Sequence, residues 1–144
     1  MQPAPGKPTT LIKPTLDTLY HIDYEWWERS GKDLAQALIA QLPQSLRDNL
    51  SSRPGETMLD YVDPVTAEVT QVNELTLAVR TAAEDSQFVT PQTSITDAIF
   101  RIFVANDNQP MSVNELGERL ARPPQTILKM LSGREIYYGL RPVR

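Results

Sequence analysis

Ile95, Ala98, Ile99, Ile102 and Phe103 recur at i, i+3, i+4, i+7 and i+8, the spacing that places side chains on one face of an α-helix. A face that apolar has to be buried against something, so this stripe constrains the fold more than any other part of the chain. Ser94, with Asp97 three residues on, starts the helix in the manner of a capping box. The run Asn106-Asp107-Asn108-Gln109-Pro110 cannot continue it, because proline removes a backbone donor and turn-forming residues precede it.

A second helix is announced at once. Ser112 with Glu115 is a full capping box, and Met111 and Leu116 are placed to form a hydrophobic staple across its start. The spacing predicts a helix over Val113–Leu120 with Val113, Leu116, Gly117 and Leu120 on one side. Glycine inside a helix costs about 1 kcal/mol relative to alanine, so Gly117 implies close approach of a neighbouring element. Ala121-Arg122-Pro123-Pro124 makes a turn, Pro124 suits the first position of a third helix, and Gly133 suits its end. That third helix, Pro124–Leu131, should turn Ile127, Leu128 and Leu131 inward and Gln125, Thr126, Lys129 and Met130 outward, with Ile136, Tyr138 and Leu140 alternating as a strand behind it.

Three short helices, a tight turn between the last two and a strand after the third resemble the winged helix-turn-helix superfamily over about residues 90 to 144. The resemblance rests on element order and on Ser112-Val113-Asn114-Glu115-Leu116-Gly117-Glu118-Arg119-Leu120 followed by the third helix. It implies that the third helix enters the major groove of DNA and the wing contacts the backbone or the minor groove. Base-edge contact would fall to Gln125, Thr126 and Lys129, and phosphate contact to Arg122, Arg134 and Arg141. A full wing needs two paired strands, and the few residues after Gly133, interrupted by Gly139 and Pro142, leave room for a single strand or a stub.

Upstream, residues 1–18 hold four prolines and little periodicity and are expected as an extended arm. Asp23 caps a helix carrying Tyr24, Trp26 and Trp27, which Ser30-Gly31 can break before Leu34, Ala37, Leu38 and Leu42 resume a buried face. Pro43 ends it, and Leu46 and Leu50 mark a further turn. Residues 58–62 and 67–72 are β-rich and flank Asp63-Pro64, which predicts a hairpin. Asn73 caps a helix to about Glu84, with Leu75, Leu77, Ala78 and Ala82 as its apolar side, and residues 88–93 read as a linker. The expectation is an α+β, mainly α, chain: the arm, a helix/hairpin/helix region over 19–88, and a winged-helix-like unit over 89–144.

Charge divides the same way. Residues 1–90 carry 7 Lys and Arg against 13 Asp and Glu, and residues 91–144 carry 7 against 5. From Arg119 onward six cations (Arg119, Arg122, Lys129, Arg134, Arg141, Arg144) face one acid, Glu135, a local balance suited to phosphates within a chain of net charge −4. Cysteine is absent and His21 is the one histidine, which starves any thiolate or imidazole metal site. No signal-like or membrane-spanning apolar run is present, so a cytoplasmic protein is expected.

Catalytic motifs are missing as well: there is no nucleophile elbow and no glycine-rich phosphate loop, and the expectation is a protein that is not an enzyme and holds no cofactor. His21, Asp23, Glu25 and Glu28 could share a cation or pass a proton. The plainer reading is that Asp23 caps and the glutamates favour the positive end of the helix. Asp60, Asp63 and Glu68 lack the spacing of a calcium loop. Trp26 and Trp27 diverge by about 100° on a helix, so one is core and the other can anchor a partner. Tyr137 and Tyr138 divide likewise, the outer ring stacking on a base or shielding a strand edge. Two functions follow: a DNA-binding, transcription-regulatory protein whose acidic N-terminal part dimerises or recruits a partner, or a scaffold subunit that meets protein partners through Trp26, Trp27 and Tyr138.

Overall fold

A computed structural model describes residues 13–144, and the part of the expected arm at residues 1–12 lies outside the described residues. Seven helices and two antiparallel sheets are seen in the described residues. The elements are β1 (Leu19–Ile22), α1 (Tyr24–Ser30), α2 (Leu34–Ala40), α3 (Gln44–Arg47), β2 (Met58–Val62), β3 (Val69–Asn73), α4 (Glu74–Ala83), α5 (Ile95–Ala105), β4 (Met111–Ser112), α6 (Val113–Leu120), α7 (Pro124–Leu131) and β5 (Leu140–Pro142).

Local signals place most helix ends. Asp23, Asp33, Asn73, Ser94 and Ser112 each accept a backbone N–H at a helix start, and Ser112 with Glu115 forms the reciprocal capping box. Gly31 ends α1 at φ +72, a conformation that costs a residue with a Cβ. A Cβ on Gly117 would lie 3.0 Å from the Arg122 carbonyl oxygen and 3.2 Å from the Pro124 Cβ, so the close neighbour is the α6–α7 turn and the first residue of α7. The last helix ends on Ser132, one residue before the expected Gly133.

The larger sheet has the order β4-β1-β5, all antiparallel. Its central strand comes from the start of the chain and its flanks from either side of α6 and α7. Tyr20 and Ile22 point inward and are buried with Trp27, Ile99, Phe100, Phe103, Val113, Leu116, Ile127 and Leu140 in one core. The division expected near residues 88 and 89 runs through this packing. A second core gathers Leu42, Leu75, Val79, Ala82 and Phe88, and Leu38, Val89 and Val104 touch both.

Four expectations are corrected. Residues 13–18 are not a free arm: Thr15 and Thr18 close a turn, Leu16 packs on the first core, and its carbonyl accepts the Asn114 N–H at 3.0 Å. Residues 88–93 are irregular but not merely connecting, because Phe88 is buried and its carbonyl accepts from Arg101 at 2.7 Å. On α4 the buried face is Leu75, Val79 and Ala82; Val79 was missed, and Leu77 and Ala78 are half-buried. No strand runs through Ile136 and Tyr138. Tyr138 and Gly139 lie at φ +55 and +72, which reverses the chain and delays the strand to Leu140, where it pairs with β1.

Asn108, itself at φ +59, completes the edge of β1 beyond β4. Its side chain accepts the Ile22 N–H at 2.7 Å and donates to the Ile22 carbonyl at 2.9 Å, the two bonds another strand residue would make. Ile22 is 1% exposed, so water cannot replace them. Asn108→Gly keeps the left-handed backbone and removes both bonds; we expect a loss of about 1–3 kcal/mol in urea unfolding.

Candidate nucleic-acid interface

Helix α7 has one buried side and one open side. Ile127 and Leu131 are buried and Leu128 is half-buried, which fixes its rotation. With about 100° between neighbours, Gln125, Thr126 and Lys129 are then forced outward, and all three are exposed, while Met130 is half-buried against the core. Pro124 is the first helical residue, and Pro123 before it offers no side-chain cap.

The six cations from Arg119 onward divide into two groups. Arg119, Lys129, Arg134 and Arg144 are exposed and make no ion pair among the described residues. Arg122 is half-buried and donates to the Pro91 carbonyl at 2.9 Å. Arg141, expected on a phosphate, lies 3.6 Å from the Asp23 carboxylate with its side chain 22% exposed. Asp23 thus caps α1, meets Arg29 at 3.8 Å and holds β5 through Arg141, three structural tasks that account for its position. No group of three or more His, Asp or Glu able to hold an ion occurs among the described residues.

Trp27 is buried and Tyr138 half-buried, each tied into the core. The Trp27 indole is 6% exposed and its N–H donates to the Tyr138 carbonyl at 2.9 Å. The Tyr138 ring stacks on Phe100 with centroids 4.4 Å apart and planes 11° off parallel. Trp26, half-buried, meets Trp27 edge to face at 5.2 Å and carries the Lys32 ammonium over its ring. Trp26, Trp27 and Tyr138 line one open groove with Lys32, Thr96, Ile136 and Tyr137, Trp26 and Tyr138 half-buried and Trp27 buried. The exposed tyrosine is Tyr137, and the Glu135 carboxylate beside it pushes its phenol above the ordinary value.

A polar cluster that sequence reasoning missed anchors the segment after α7. The Tyr138 hydroxyl donates to the Asp97 carboxylate, Gln41 approaches the same oxygen, and Arg101 donates to the Gln41 side-chain oxygen at 2.7 Å. Burial raises the Asp97 pKa, but hydrogen bonds from Tyr138, Ser94 and Gln41 and the charge of Arg101 outweigh it and hold the carboxyl below its ordinary range. Burial, and then the bond to Asp97, push the Tyr138 phenol up. The hints in sequence are an acid at the third position of an apolar-striped helix and an arginine, Arg101, one turn further on.

Comparisons of the chain with protein-family models, with curated proteins and with solved structures gave no match.

The sign of the pH effect follows from the lowered Asp97 pKa: its contribution is present above the unfolded carboxyl pKa, about 4, and is lost as pH falls through the folded value. Tyr138→Phe should cost about 1–2 kcal/mol at neutral pH, by removing one donor from a half-buried carboxylate. It should also flatten the fall in stability from about pH 5 to about pH 3, when urea unfolding is compared across that range. An acid limb as steep as in the parent chain would show that Asp97 does not drive it.

Proposed function

We propose that this chain is a non-enzymatic nucleic-acid-binding protein, DNA-binding and regulatory in kind, with α7 as its reading element. The observation that carries the proposal is the open side of α7: Gln125, Thr126 and Lys129 exposed together, with Arg119, Arg134 and Arg144 exposed and without ion pairs among the described residues. Glutamine can pair with adenine N6 and N7, lysine with guanine O6 and N7, and threonine with either edge or the thymine methyl. Arginine and lysine around them meet phosphates and release counterions.

The order α5, β4, α6, α7, β5 supports a winged-helix reading of this unit. In that reading β1 supplies the strand that a wing would otherwise supply from after α7, and the segment of residues 132–139, carrying Arg134, stands where the wing would be. The tyrosine and tryptophan anchors at 138 and 27 hold one end of that segment, while Arg134 at the other end is open. Arg141 belongs to the scaffold in this reading, and the phosphate contacts fall to Lys129, Arg134 and Arg144, with Arg122 contributing its remaining donors.

A duplex should bind at low salt and weaken linearly in log–log terms as salt rises, which fluorescence anisotropy or a gel shift would follow. Reversing Lys129 and Arg134 together to Glu should weaken binding by at least about tenfold and make the salt slope shallower by about 0.9 for each phosphate no longer neutralised. Gln125→Ala should instead relax preference at one base position with little change in slope. Absence of binding to any duplex at low salt would end the proposal.

A further inference from the structure

The hairpin β2–β3 displays apolar side chains that the rest of the chain leaves uncovered. Met58, Val62 and Val69 are 52%, 56% and 60% exposed, and Val65 at the tip is 90% exposed. In the register, Met58, Asp60 and Val62 share a face with Asn73, Gln71 and Val69, while Tyr61, on the other face, lies under the Arg80 guanidinium of α4. One face is therefore turned to α4, and the other is open, with Met58, Val62 and Val69 interleaved with Asp60, Gln71 and Asn73.

The edge of β2 is also open. The Asp63 N–H donates to the Glu68 carbonyl and the Glu74 N–H to the Thr57 carbonyl, so the odd-numbered residues of β2 form the hydrogen-bonded pairs with β3. By alternation, the N–H and C=O groups of Met58, Asp60 and Val62 point away from β3. Among the described residues no strand pairs with that edge. A two-stranded ribbon with a free edge is a template for an added strand.

Charge selects the occupant. Between Arg53 and Arg80 the chain carries Glu56, Asp60, Asp63, Glu68 and Glu74 and no Lys, Arg or His. A second copy would bring the same acids edge to edge, which like-charge pairing opposes. We propose that β2 is the docking edge for an extended segment of a partner protein that carries apolar, basic and apolar residues at every second position, the apolar ones covering Met58 and Val62 and the basic one between them meeting Asp60. This goes beyond the function proposed above and rests on no property of α7.

The probe is a synthetic peptide with Val, Lys and Val at every second position and Thr between them, added to the full chain and followed by amide chemical shifts and anisotropy. Binding should shift the amides of Met58, Asp60 and Val62, and weaken with salt. The same peptide N-methylated at alternate residues keeps its charge and side chains but cannot pair, and should bind about tenfold or more weakly. Asp60→Pro removes an outward N–H that the hairpin does not use, and should show a comparable loss with duplex binding unchanged.

Equal affinity of the methylated and unmethylated peptides would reduce the effect to charge attraction and overturn the proposal. So would equal binding of the peptide with Glu in place of its Lys, shifts centred away from β2, or a concentration-dependent dimer in sedimentation that Asp60→Pro dissolves. Loss of duplex binding with peptide binding intact would count against α7 alone, and the reverse against β2 alone.

Discussion

Strand β1 lies between two strands that are too short to form a sheet without it. β4 has two residues and β5 three, and each is paired to β1 and not to the other. A two-residue strand contributes little in isolation, so the sheet exists because four residues near the start of the described chain are threaded between its C-terminal parts. Tyr20 and Ile22 then fall on the inner face and complete the core on which α5, α6 and α7 rest. The Ile22 bonds to Asn108 and the Trp27 bond to Tyr138 span 86 and 111 residues of sequence. Closing loops of that length comes before their contacts can contribute, so the three-helix unit acquires its full core late relative to its helices.

What was legible in the sequence was what local chemistry specifies. Helices α5, α6 and α7 start where Ser94, Ser112 and Pro124 place them, because a cap satisfies backbone donors within three residues and needs no distant partner. The outward set on α7 was legible for the same reason: once the apolar positions choose the inner face, helical geometry decides the rest. Strands β1 and β4 were not legible. Leu19–Ile22 is too short for a convincing alternation, and Met111–Ser112 shares its residues with a helix cap whose signal is stronger. The segment after α7 misled in the opposite direction. Ile136, Tyr138 and Leu140 alternate as a strand would, but the positive φ of Tyr138 and Gly139 turns the chain, and stacking of Tyr138 on Phe100 holds it there.

Side-chain charge shows a comparable limit. A count of cations after Arg119 treats six residues alike, whereas packing separates them: Arg141 is drawn to Asp23, Arg122 is engaged by the Pro91 carbonyl, and four remain open. Sequence reports that a charge is present but not what faces it, since the partners of Arg141 and Arg122 lie 118 and 31 residues away. The cluster of Gln41, Asp97, Arg101 and Tyr138 was hidden for the same reason, its members drawn from three separate stretches of the chain and none being unusual alone.

The two proposed contact surfaces rest on different supports. The inner residues of α7 belong to the core built around β1, whereas the hairpin adjoins α4, whose Leu75, Val79 and Ala82 belong to the second core. The exposed side chains on either surface contribute little to the core beneath, so charge reversal on α7 or a blocked edge on β2 acts on binding before it acts on folding. The acidic hairpin and the cationic helix would attract partners of opposite sign. In the proposed reading that pairing of surfaces would let one chain hold a polyanion and a basic protein segment at once, and a net charge of −4 does not oppose it because the acids and the open cations lie on different elements. Salt would weaken both proposed associations, while the proposed duplex contact would depend on Lys129 and the proposed peptide contact on the backbone of Asp60.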